Sequence, residues 1–103
     1  MDIQTALKTL GLNEKQVAIY LALLQLGQAT AYRVAVKSGQ KRPTTYIVLD
    51  ELIAKKMVIK LPETEGRTLY FARTPEEAFA EANRSLVAAK AMLPEILALA
   101  RGQ

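Results

Sequence analysis

"SGQKRPTTYIVLDELIAKKMV", residues 38–58, sets a glycine turn, two adjacent cations and a proline ahead of apolar residues that recur at helical spacing. Ser38-Gly39 reads as a helix end, because glycine takes the left-handed conformation that closes a last turn. Pro43 suits the start of the next helix, where its missing amide is one of the donors a first turn leaves unpaired anyway. Thr45, Val48, Leu49 and Leu52 then make an inward stripe, and Arg42, Thr44, Tyr46, Ile47, Asp50 and Glu51 fall on other faces. The spacing predicts a helix over about 42–55 with an amphipathic body and a cationic front.

Upstream, Asp2 to Leu10 is a short helical stretch with Ile3, Ala6, Leu7 and Leu10 on one side, closed by Gly11. Asn13 followed by Gln16 is a loose capping box opening a strongly apolar helix. Val17, Tyr20, Leu21 and Leu24 form its core face, with Ala18 and Leu23 slightly off the stripe, and Gly27 stops it. Thr30 caps a shorter helix whose inward residues are Ala31, Val34 and Ala35.

Downstream, Met57 to Leu61 and Thr68 to Arg73 are short runs of branched and aromatic residues around Pro62–Arg67, the pattern of a hairpin. Thr74-Pro75-Glu76-Glu77 combines a capping threonine, proline at the first helical position and glutamate at the third, so a long helix begins at Pro75. Phe79, Ala82, Leu86, Ala89, Leu93, Ile96 and Ala100 keep a 3-4 alternation over about three heptads along it. Such a stripe either folds back on its own domain or forms a seam with a second chain. The seam is the preferred reading, because the preceding helices and hairpin already make a closed unit. Alanine at alternate positions makes that seam shallow, and Pro94 should kink or end the helix near Leu93.

The 103 residues amount to one domain's worth of chain, half of it apolar, without cysteine or histidine. That composition removes disulfides, thiolate nucleophiles, the usual zinc ligand sets and every histidine-based proton transfer. The carboxylates are scattered and read as solvated surface, and no glycine-rich phosphate loop is present. The chain is therefore not expected to be an enzyme or to carry a metal or cofactor. No apolar run approaches the roughly 20 residues that span a bilayer, and the start lacks a signal peptide's pattern, so the expected location is cytoplasmic.

Charge is concentrated rather than spread. Residues 28–61 hold Arg33, Lys37, Lys41, Arg42, Lys55, Lys56 and Lys60 against Asp50 and Glu51, an excess of five in a chain of net charge +4. A localised cationic patch is the electrostatic footprint of a nucleic-acid binder.

The helix order, the tight glycine turn and the closing hairpin together spell a winged helix-turn-helix: mainly α, with one small hairpin and a long C-terminal helix. Residues 1–73 would form the DNA-binding unit and 74–103 a dimerisation helix. In that arrangement the helix begun by Pro43 enters the major groove end-on, with Lys41, Arg42 and Thr44 at base-contact positions. Tyr46 and Ile47 lie one turn further, where a phenol can meet phosphate or a base edge and an aliphatic side chain a thymine methyl. Arg33 and Lys37 read equally as phosphate contacts or solvated charges. Arg67, at the hairpin tip, is a candidate minor-groove residue, although Glu63 and Glu65 beside it repel phosphate.

"LGLNEKQVAIYLALLQLGQATAYRVAVKSG" resembles the start of TrmB-like transcriptional regulators, and the likeness continues through Pro43, Tyr46, Leu49 and Leu52 and resumes at "LYFARTPEEAF". It covers about residues 5–80. The resemblance implies a DNA-binding regulator in which that last stretch runs from the second wing strand into a linker helix. Winged-helix regulators commonly carry glycine where Lys56 stands, a position expected to be left-handed. Many TrmB-like proteins continue into a sugar-binding effector domain; this sequence stops at Gln103, and a sugar response is not carried onto residues that are absent. The expectation is a homodimeric, sequence-specific double-stranded DNA-binding regulator, stand-alone or part of a longer chain. The alternative is a winged helix that binds another protein, with Tyr46 and Ile47 as its anchors.

Overall fold

Side-chain caps divide the chain into its elements. In the computed structural model, which describes residues 1–102, the order is α1 (Ile3–Lys8), α2 (Glu14–Leu26), α3 (Ala31–Ser38), α4 (Arg42–Ala54), β1 (Val58–Lys60), β2 (Tyr70–Ala72), α5 (Pro75–Lys90) and α6 (Leu93–Ala100). Asp2 accepts from the Thr5 amide at 2.7 Å to open α1, and Thr30 accepts from the Arg33 amide to open α3. Asn13 with Gln16, and Thr74 with Glu77, form reciprocal capping boxes at α2 and α5. Caps of this kind are worth about 1 kcal/mol each.

The core is built on α2, which packs against α1, α3, α4 and β2. Val17, Ile19, Tyr20 and Leu23 are fully buried against Val34 of α3 and Leu49 and Leu52 of α4. The inward stripe expected on α4 is the observed one: Thr45, Val48, Leu49 and Leu52. Thr45 tolerates full burial because its hydroxyl donates to the Lys41 carbonyl at 2.9 Å. Ala31, Val34 and Ala35 face inward from α3 as expected.

Two inward assignments need correction. Leu24 is 37% exposed, whereas Gln16, Ile19 and Ala22 are buried, because neighbours on several sides widen the buried face of α2 beyond one stripe. Ile3 is 69% exposed, and only Leu7 of α1 is buried. Gln16 is satisfied in its buried position: its carbonyl accepts from the Asn13 amide at 3.0 Å and its amide donates to Glu51 at 3.1 Å.

β1 and β2 pair antiparallel, with Val58 opposite Ala72 and Lys60 opposite Tyr70. The tip is a tight turn in which Glu65 and Gly66 both have positive φ and Thr64 and Arg67 exchange two backbone hydrogen bonds. A further rung, absent from the sequence reading, joins Ala29 to Tyr70 through bonds of 3.0 and 2.8 Å, so a single bridge ties the loop before α3 to β2.

α4 ends as the glycine comparison anticipates, but without glycine. Lys56 stands at φ 63, the Met57 amide donates to the Leu52 carbonyl and the Lys56 amide to that of Ile53. This is a Schellman closure. Arg73 secures it from β2's side, its guanidinium donating to the Lys56 carbonyl at 3.2 Å and its amide to the Met57 carbonyl at 2.9 Å.

The long C-terminal helix is interrupted where proline demands it. Pro94, second in α6, has no amide for the Lys90 carbonyl, and α5 and α6 are separated at Ala91–Met92. α5 leans on the body only near its start: Ala78 is buried, Glu81 and Ala82 are half-buried, and every residue from Asn83 to Gly102 is exposed. The radius of gyration, 16.6 Å, exceeds the roughly 13 Å typical of a compact chain this long, reflecting that protrusion.

Candidate nucleic-acid interface

α4 presents a front unlike those of α1, α2, α3 and α5. Its N-cap is Lys41, whose side chain makes no capping bond. Among the described residues no side chain caps the first-turn amides of Arg42 and Thr44, which lie at the positive end of the helix dipole. Around them Lys41, Arg42, Tyr46 and Ile47 are exposed and Thr44 is half-exposed, while the buried stripe holds the helix to the body. A helix end with free amides and flanking cations attracts phosphate, and planar or apolar side chains beside it can meet base edges.

A cleft of about 510 Å³ separates this front from the hairpin, and Arg42, Tyr46 and Arg67 share its lining. Lys60, Asp50 and Glu63 line it too, so the basic groups are partly offset by acids. Tyr70 at its inner side has its phenol pushed up, first by burial and then by the nearby Tyr46 and Asp50. Lys41, Thr44 and Ile47 lie on the α4 front outside this cleft, and Arg33 and Lys37 are exposed on α3, away from its lining. Arg67 follows the turn at the hairpin tip, as its place in the sequence suggests.

One side chain at this surface, Tyr32, escaped the sequence reading, and another, Lys60, was counted there only as part of the cationic patch. Tyr32, 58% exposed in the first turn of α3, has its ring under the Arg42 guanidinium, 5.6 Å from carbon to centroid. Lys60 shares a face of β1 with buried Val58 by alternation, yet it is exposed and lines the cleft. An aromatic on the polar side of a short helix was the available signal for Tyr32.

The stripe on the C-terminal helices is open. Phe79, Leu86, Leu93 and Ile96 are 43%, 57%, 46% and 52% exposed, Ala89 is exposed, and only Ala82 is half-buried. Val87, Met92, Leu97 and Leu99 add to this apolar surface. Among the described residues no group of acidic side chains is placed to hold a metal ion, and no helix is long and apolar enough to cross a membrane.

The arrangement is a winged helix-turn-helix: α3, turn and α4 form the motif, and the β1–β2 hairpin is the wing. A family profile described as "Sugar-specific transcriptional regulator TrmB" matches residues 7–76, and the chain belongs to that family of non-enzymatic, DNA-binding regulators. Among solved structures it is similar to TrmBL2, an archaeal chromatin protein described as showing a novel mode of DNA binding, with TM-score 0.83 and 21% identity over 96% of this chain and 38% of that one. A possible transcriptional regulator from Methanosarcina mazei Go1 matches with TM-score 0.71 and 10% identity, covering 94% of this chain and 87% of that one. A MarR family regulator from Silicibacter pomeroyi matches with TM-score 0.60 and 14% identity over 96% and 63%. At these identities the likeness is one of fold. Comparison with curated proteins found no match.

Proposed function

We propose that this protein is a homodimeric regulator that binds double-stranded DNA sequence-specifically, with α4 in the major groove and the hairpin as wing. The observation that carries this reading is the front of α4, where a first turn without a side-chain cap, exposed Lys41, Arg42, Tyr46 and Ile47 and half-exposed Thr44 crown a helix anchored by its other face. Lys41 and Arg42 supply attraction to phosphate and Arg42 a planar donor set suited to guanine; Tyr46 and Ile47 extend the contact along the groove. Arg33, Lys37, Lys60 and Arg67 are the peripheral cations that would fix the orientation on the duplex.

Dimerisation rests on the uncovered stripe from Phe79 through Ala82, Leu86, Ala89 and Leu93 to Ile96. An apolar surface of this extent on a protruding helix marks an interface. Two copies joined along it would present two α4 helices to half-sites about 10 base pairs apart, centre to centre. Selection from random duplexes tests the reading: it should enrich a palindromic motif with that spacing, and recovery of no motif would contradict it.

The exposed Tyr46 and Ile47, 45% and 61% accessible, also fit a surface that anchors a partner protein, the second reading. Failure to bind DNA at low salt would favour it.

A further inference from the structure

We propose that Tyr32 is a positioning residue for Arg42: its ring holds the guanidinium in one plane at the head of α4, so that Arg42 reads a base edge and does not merely add charge. This rests on the groove-facing reading of α4. The guanidinium carbon lies 5.6 Å from the Tyr32 centroid, within the range of a cation–π contact. Among the described residues no carboxylate pairs with Arg42, although Asp50 and Glu63 line the same cleft. The ring occupies one side of the guanidinium, and the N–H donors directed away from it remain available to a ligand.

That geometry bears on specificity. Phosphate accepts a point charge from many directions, whereas the O6 and N7 of guanine need two parallel donors in a fixed plane. A free arginine must give up side-chain entropy to present that fork, and a ring that already fixes its plane removes part of the cost. Tyr32 is placed for this work: it sits in the first turn of α3, 58% exposed, and contributes nothing to the core.

The test uses the duplex that wild type selects, a set with single base-pair changes, and a salt series, read by fluorescence anisotropy. Tyr32→Leu should lose about tenfold of the discrimination at one base pair and keep the wild-type salt slope. Tyr32→Phe, the conservative variant, should restore that discrimination. Arg42→Lys should lose it at the same base pair, and Tyr32→Leu combined with Arg42→Ala should be no worse than Arg42→Ala alone. Wild-type discrimination in Tyr32→Leu, or independent effects in the double variant, would overturn the inference and leave the groove reading standing. Equal loss in Tyr32→Phe would overturn it in favour of a hydroxyl contact. If Arg42→Ala binds like wild type, the groove reading fails at Arg42 and the inference fails with it. Thermal unfolding of each variant checks that the fold is kept.

Discussion

The hydroxyl of Tyr20, in the middle of α2, donates a 2.7 Å hydrogen bond to the backbone carbonyl of Arg73, where the second wing strand turns into α5. One side chain thus ties the central helix to both the wing and the root of the C-terminal helices. Arg73 is held from the other side by the end of α4, so the same residue couples the recognition helix, the wing and α5. Replacing Tyr20 with phenylalanine keeps the packing and leaves that carbonyl unpaired, and should destabilise the fold by about 1 kcal/mol in denaturant melts.

The same phenol makes stability sensitive to alkali. Burial, then the charges of Glu76 and Glu77, push the Tyr20 pKa from 10.0 up to about 12. The folded state therefore favours the neutral phenol. Its contribution is fully present below pH 10 and is lost as pH rises through about 12. Melting temperature should fall across that window, and the part of the fall due to Tyr20 should vanish in Tyr20→Phe.

Lys56 at φ 63 carries a side chain in a conformation that glycine adopts freely. The left-handed conformation costs a non-glycine residue roughly 1–2 kcal/mol, and glycine's greater freedom in the unfolded chain takes back about 0.4–1. Lys56→Gly also gives up a 3.6 Å pair with Glu81, but the lysine side chain is 67% exposed and such pairs contribute little. The net expectation is a gain of about 0.5 kcal/mol in denaturant unfolding, whereas Lys56→Val should destabilise.

How far the fold was legible follows from which signals are local. Caps at Asn13, Thr30 and Thr74, the stripe on α4 and the break at Pro94 depend on residues a few positions apart, and the structure places them as read. The burial of Ile19 and Gln16 depends on how many neighbours surround α2, and the Ala29–Tyr70 rung joins residues distant in sequence; neither leaves a periodic trace. At the candidate site, the cations around α4 were visible as charge. Lys60 was visible as charge too, but its place in the cleft and that of Tyr32 beneath Arg42 were not, because both are set by the packing of α3 and the wing against α4.

The uncovered stripe gives a prediction about assembly. Leu86→Glu and Ile96→Glu each place a charge at a position more than half exposed in the single chain, so neither disturbs the core. Sedimentation equilibrium should show the wild type as a dimer and the double variant at half that mass. Retention of the dimer by the double variant would move the interface elsewhere.

The groove-facing role of α4 is tested most directly by fluorescence anisotropy on random-sequence duplex DNA over a salt series, comparing wild type with a Lys41→Ala/Arg42→Ala double variant. The account predicts tight binding at low salt with a log-affinity against log-salt slope of several units, falling by about one unit for each phosphate contact the variant loses. Negligible binding by wild type at low salt, or a variant indistinguishable from it, would contradict the account at its central residues.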